Sequence, residues 1–227
     1  MQKRKFKVLS IDFDFFQVVN KETILDCYPD GHDLSTTMSS IVWSSHYSYQ
    51  KEKLMSVKPD TDKIEELKAI INNMRYCSPV MVCNSHKYCY DFISQHYNPN
   101  SYESIELVNI DMHHDLFNDN PNLDCGNWIS HVVDKYPCEI SWICNPISKE
   151  VYGLDEDNFK MVKEDFSDIE DTTFDAIFLC RSDAWLPPHL DYAFDDLFQY
   201  ICENFDDVQG DINITHPREI QDLTIAS

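Results

Sequence analysis

In the stretch ELVNIDMHHDLF (Glu106–Phe117), an alternating apolar run leads straight into Asp111, His113 and Asp115. Two carboxylates and two imidazoles, counting His114, within five positions at the end of a half-buried strand are costly unless something compensates them. A second strand-like run, FKVLSIDFDFF, ends in Asp12 and Asp14, at i and i+2, so that a strand would project both from one face. A third, VMVCNSHKY, delivers His86 just beyond its apolar residues. If the three ends meet, four carboxylates share one pocket. Two like charges ~5 Å apart at an effective dielectric of ~20 repel by roughly 3 kcal/mol, so several unpaired ones would be intolerable. Two divalent cations would neutralise all four. Mixed carboxylate and imidazole donors suit manganese, with iron or zinc as alternatives, better than a calcium site of oxygens alone.

Each motif also has a plainer reading. Aspartates at a strand end cap the following turn, and a lone histidine before a helix is often structural. His86 is flanked by Cys83 and Cys89, which admit a small zinc site across the strand-to-helix junction. The metal reading rests on the combination.

Elements able to position these residues alternate along the chain. Asp62 to Arg75 has helical spacing; VMVC reads as a strand, and NSHKYCYDFISQHY as a helix. ELVNID is followed by a polar loop, a helix from Asn127 and the strand EISWIC. FDAIFLC then leads through RSDAWLPPHLD to an amphipathic helix over Tyr192–Glu203. Short apolar strands alternating with helices predict a single α/β domain over residues 1–227, with a mostly parallel sheet covered by helices on both faces. Ligands of such sheets gather at the carboxyl ends of the strands. Residues 27–60 show little period and read as a long insertion near the site, and Glu150–Asp175 as connecting helix and loop.

Composition narrows the options. The chain has 227 residues, 43% of them hydrophobic, enough for one substantial core. No apolar run approaches the ~20 residues of a membrane span, and aspartates interrupt the N-terminal apolar stretch where a signal peptide would need continuity. These features predict a soluble, cytoplasmic protein with no membrane partner. Nine cysteines, at 27, 77, 83, 89, 125, 138, 144, 180 and 202, are an odd number without a CxxC pair and read as reduced thiols. A net charge of −22 argues against binding nucleic acid, which needs a basic surface, and would draw in a cationic substrate. A solvated acidic surface explains the same number.

The three motifs resemble those of the arginase and deacetylase superfamily: a histidine opening a helix after a strand, DxHxD after the next strand, and SxDxD after another. The resemblance makes Asp111 and Asp12 bridging ligands, with His86 and Asp115 completing one metal and His113 and Asp14 the other; His114 fills the variable position. In arginases the SxDxD strand comes late, whereas here it is first, which a parallel sheet tolerates when the termini lie close. CGNWISH and FLCRSDAWLPPHLD resemble a smaller branch, the peptide arginases, which convert arginine residues in peptides to ornithine. This implies a hydrolase with two Mn2+ ions that lower the pKa of the attacking water, acting on arginine in a basic peptide and releasing urea. Arginases carry a related Gly-Asn-x-His turn. By that likeness Asn127 holds substrate and His131, here four residues after Asn127 instead of two, passes the proton to the leaving amine. The competing reading of Asn127 is a helix N-cap. Arg181, Asp183, His189 and Asp191 lie in a proline-containing loop that would line the pocket, with Asp183 or Asp191 pairing with the guanidinium. A deacetylase or other amidohydrolase of the same superfamily, or a metal-stabilised peptide-binding module without turnover, fits the same ligands.

Overall fold

The computed structural model describes residues 3–29, 33–74, 79–117, 120–153, 156–210, 214 and 217–221. Its strands are β1 (Arg4–Asp12), β2 (Gln17–Val18), β3 (Lys58–Pro59), β4 (Val80–Cys83), β5 (Tyr102–Asp111), β6 (Cys138–Cys144), β7 (Met161–Lys163), β8 (Ala176–Cys180) and β9 (Val208–Gly210). Its α-helices are α1 (Lys21–Cys27), α2 (Thr36–Leu54), α3 (Thr61–Asn72), α4 (Tyr88–His96), α5 (Trp128–Lys135), α6 (Ser148–Tyr152) and α7 (Asp191–Asn204). Seven strands form one parallel sheet in the order β7-β6-β5-β1-β8-β4-β9, and β2 and β3 make a small antiparallel ribbon.

Both faces of the sheet are buried, which is why β4 and β8 are apolar throughout. Successive side chains of the central strands feed opposite cores. Val8 and Leu107 join α4 and α5 on one face; Leu9, Ile11, Val108 and Ile110 join α2, α3 and α7 on the other. The α/β class with a parallel sheet between helices is therefore as expected. No helix among the described residues is long and apolar enough to cross a membrane. All eight described cysteines are free thiols, and Cys77 lies outside the described residues. Cys83 and Cys89 are buried in the core and join no group of converging metal ligands.

Two segments differ from the sequence-based expectation. Residues 27–60 contain the 19-residue helix α2, capped by the Ser35 side chain. Its buried positions are Ser39, Trp43, Ser44, Tyr47 and Leu54, a stripe at helical spacing that alternates hydroxyls with rings and so carries little hydrophobic periodicity. Within Glu150–Asp175 lies β7, a three-residue edge strand paired on one side only, too short to show a pattern. Helix α3 ends at Asn72, and Arg75 lies outside the described residues.

Register explains why the motifs meet. At the carboxyl end of the sheet Cys83 pairs with Cys180 and Cys180 with Asp12. Ile11 pairs with Ile110, so Asp12 and Asp111 are neighbours one residue further on, and Asp111 pairs with Cys144. The acids thus lie at the centre of the sheet. From there β6 and β7 build outward on one side and β9 on the other, a crevice where such folds bind ligands.

Candidate metal centre

Asp12 is the last residue of β1. Its Oδ1 accepts from the Asp14 backbone N–H at 3.3 Å, capping a 3₁₀ helix over Phe13–Phe16, while its Oδ2 lies 3.2 Å from His86 Nδ1. One oxygen of the side chain thus caps the turn, and the other is free to face the histidine. Asp14 is not in the strand: the tight 3₁₀ turn, and not strand alternation, brings it to the site. Its Oδ1 accepts from the Met112 N–H at 3.2 Å, and its Oδ2 faces Ser182 Oγ at 3.3 Å and His113 Nδ1 at 3.0 Å.

Asp111 ends β5 between the two histidines. Its Oδ2 lies 3.1 Å from His86 Nδ1 and its Oδ1 3.6 Å from His113 Nδ1. Asn109 Nδ2 and the His113 N–H donate to the same two oxygens at 3.1 and 2.7 Å. Asp115 has φ 52°, in the left-handed region that aspartate tolerates better than most residues. From there its Oδ2 comes within 3.0 Å of His86 Nδ1 and accepts from Trp128 Nε1 at 2.5 Å. His86, in the turn before α4, has Nε2 2.6 Å from Ser10 Oγ, and its ring is stacked on Phe178 and packed against Trp128. His113 is held between the Tyr152 and Trp185 rings.

All six side chains are buried. Their donors converge in two groups, Asp12 with His86 and Asp111, and Asp14 with His113 and Asp111; Asp111 belongs to both. Three carboxylate oxygens stand 3.0–3.2 Å from His86 Nδ1, yet this buried nitrogen has no hydrogen-bond partner. Donors on a shell ~2.1 Å from a small divalent cation are ~3 Å apart at octahedral angles, so the spacing is that of ligands around a common centre. Ser10, bonded at Nε2, leaves Nδ1 as the ligand atom.

The electrostatics agree. Among the described residues no lysine or arginine pairs with any of the four carboxylates. Burial and the neighbouring Asp12 push the Asp14 carboxyl up to about 7. Burial and Asp111 raise Asp12 and Asp115 as well. Burial works against the charge on His86, but Asp111, Asp115 and Asp12 carry it well above its ordinary value. Burial likewise opposes ionisation of Asp111, and the adjacent His113 and His86 hold its carboxyl below the usual range. Without a metal, protons must supply the positive charge; the donor set fits cations that would replace them.

A cavity of about 240 Å³ opens onto the centre. Asp12, His113 and Asp115 form its floor, Phe117 and Trp185 are aromatic walls, and Asn120 and the Asp124–Asn127 turn shape its rim. Gly126 packs closely at that rim: a Cβ there would stand 3.2 Å from the Phe117 ring, which would have to shift slightly to admit it.

Several residues expected at the cavity do other work. Asn127 lines it, but its side chain accepts from the Asp124 N–H at 2.7 Å and donates to the Asn120 and Asn122 carbonyls at 2.9 and 2.8 Å. It ties a loop together, and although it precedes α5 it makes no side-chain cap. His131 lines an adjoining depression beyond Phe117, Asn120 and Asn127, its ring edge-on to Tyr90, because four residues after Asn127 is one full turn further along α5. Asp183 accepts from Arg181 Nε at 2.5 Å and Nη2 at 3.1 Å; Asp191 accepts from Arg218 Nε at 3.0 Å and Nη2 at 2.6 Å. Both carboxylates are already paired with guanidinium groups of the chain, so the expectation that they hold a substrate guanidinium is corrected. His189 bonds to Tyr47 Oη and the Val57 carbonyl, away from the cavity.

Trp128, Ser10, Phe117, Trp185 and Asp124 were not singled out from the sequence. Trp128 and Trp185 fall inside the quoted motifs CGNWISH and RSDAWLPPHLD, and an indole beside chemistry-bearing residues was the available signal. No protein-family model, curated protein or solved structure matches the chain.

Proposed function

We propose that the protein is a binuclear metal-dependent hydrolase of the arginase-like class that converts an arginine residue in a peptide to ornithine and urea. The observation that carries this reading is the sharing of Asp111 between two groups of donors, which favours two ions over the single ion of a deacetylase. When bound, a pair of divalent ions, with manganese the first choice, lowers the pKa of water toward neutrality and offsets the four buried carboxylates.

Asp12, His86, Asp111 and Asp115 would hold one ion, and Asp14, His113 and Asp111 the other. Ser10 fixes the His86 ring, and Trp128 fixes the Asp115 carboxylate. Phe117 and Trp185 narrow the cavity and exclude bulk water from the reacting carbon. In the overall change a water oxygen bonds to the guanidinium carbon, the bond from that carbon to Nε breaks, and the two water protons end on the leaving nitrogen, which departs as an ammonium beside neutral urea. His131 lies one turn further along α5 and does not line the cavity, so we do not assign it either proton.

The test is incubation of manganese-loaded protein with arginine-containing peptides and with free arginine, read by mass spectrometry and a urea assay. The expected result is ornithine in the peptide and one urea per converted arginine, with the peptide the better substrate because the acidic chain attracts its neighbouring cationic residues. Loss of acetyl groups without urea would replace this reading with a deacetylase. No turnover of any peptide, with metal bound and peptide retained, would replace it with a binding module.

A further inference from the structure

Asp124 is the cavity's one carboxylate, among the described residues, that lies outside the metal centre. Its side chain accepts from the Cys125 thiol at 3.2 Å, and no lysine or arginine among the described residues pairs with it. Lys87 is close enough to feel its charge, but its ammonium is bonded to Asp33. The backbone of Asp124 is fixed by Asn127, whose amide also secures the Asn120 and Asn122 carbonyls, so the loop presents the carboxylate from a clamped frame.

We propose that Asp124 is the specificity residue of the cavity, pairing with a planar delocalised cation that packs against Phe117 and Trp185. The inference rests on the guanidinium reading above and deepens it by naming the residue that recognises the charge. Two divalent ions balance Asp12, Asp14, Asp111 and Asp115, which leaves the cavity with the single negative charge of Asp124. A guanidinium matches it in charge, donates two parallel N–H bonds to one carboxylate, and favours aromatic faces more than an ammonium does. A neutral ureido group of the same shape would leave the charge unanswered.

Asn127 is then a positioning residue. Its place in the sequence suggested substrate contact, and the structure gives it an indirect route to the same end, through the loop that carries Asp124.

The probes are butylguanidine and its neutral isostere butylurea, titrated calorimetrically into manganese-loaded wild type, Asp124→Asn and Asp124→Glu, with bound manganese counted in each. The asparagine variant keeps the backbone N–H bonded to Asn127, so its loop is expected to stay intact. Wild type should bind butylguanidine at least about tenfold more tightly than butylurea, the scale of a charge-assisted pair. Asp124→Asn should abolish that preference with metal content unchanged, and Asp124→Glu should restore part of it. In turnover the asparagine variant should raise KM for an arginine peptide more than it lowers kcat. An unchanged preference in metal-replete Asp124→Asn overturns the assignment even if wild type releases urea, and so does the absence of any preference in wild type. A preference that depends on Asp124 in a protein releasing no urea would sustain the assignment and overturn the hydrolase reading alone.

Discussion

Two clusters of buried aspartates lie beyond the carboxyl end of the same sheet, and their fates are opposite. Asp183 and Asp191 are closed off by Arg181 and Arg218. Arg218 alone donates to Asp191, to Ser39 Oγ and to the carbonyls of Asp183 and Leu186. Against burial, Arg218 and Arg181 keep the Asp183 carboxyl below the usual range. Asp12, Asp14, Asp111 and Asp115 are equally buried but, among the described residues, have imidazoles and neutral donors beside them and no arginine or lysine, and burial drives three of the four upward. A buried carboxylate answered by an arginine of the chain is structural, whereas a buried group of carboxylates with no arginine or lysine beside it and donors turned toward common points could hold a cation from outside.

The largest expected effect separates the clusters by metal content. Wild type should bind about two manganese ions per chain, and Asp111→Ala should lose both together with all activity, because that residue belongs to both donor groups. Full metal in that variant, measured by elemental analysis of folded protein, would break the comparison. Asp12→Asn and Asp14→Asn should also abolish turnover while leaving most of the fold.

Next comes the arginine cluster. Arg218→Ala removes both side-chain hydrogen bonds to the buried Asp191, leaving it Arg181 Nη1, at 3.9 Å, for a cationic partner, and should cost about 3–5 kcal/mol of stability in denaturant unfolding, while the chains that remain folded still bind two ions. A variant with wild-type stability but no metal would mean the two clusters are one.

Trp128→Phe sharpens the boundary of the metal centre. It keeps a ring against His86 and removes only the N–H that holds Asp115, so metal affinity should fall ~10- to 100-fold, as for other groups that orient ligands.

The pH dependence of stability should reverse with metal. Raised carboxyls bind protons more tightly in the folded chain than in the unfolded one, so their contribution is lost as pH rises from near 4 to about 7, the value for Asp14. His86 and His113 are raised as well, which stabilises the fold below the ordinary imidazole value near 6.5 and is lost as pH climbs through their folded values. Asp111, held low, acts in the opposite sense, at the acid end. Chelator-treated protein should therefore melt at a lower temperature at pH 8 than at pH 5.5. Manganese-loaded protein should do the reverse, since ions displace the protons, and parallel curves would remove the electrostatic part of the contrast.

The smallest effect belongs to a residue of neither cluster. His131→Asn should change kcat less than about threefold, because its ring lies outside the cavity; a loss near the 10²–10⁴-fold of a general acid would return it to the mechanism.

The sequence by itself determined the α/β class and marked out the carboxylates and imidazoles that the fold brings together. Continuous apolar strands such as VMVC and AIFLC announce a sheet buried on both faces, and ligand types at strand ends are local patterns that survive without knowledge of the fold. It was silent about α2, whose buried stripe is built from Ser39, Trp43 and Tyr47 where aliphatic residues would have shown a period. Nor does it show what Asn127, His131, Asp183 and Asp191 are bonded to, since their types suit a site as well as those of the candidate centre. The tertiary structure decided what surrounds each of them. Arg218 reaches Asp191 across 27 residues of chain, one turn of α5 carries His131 away from Asp115, and a loop folded on Asn127 turns Asp124 to the cavity. A side chain's type travels with the sequence, but its charge balance and its free lone pairs depend on neighbours that only the folded chain supplies.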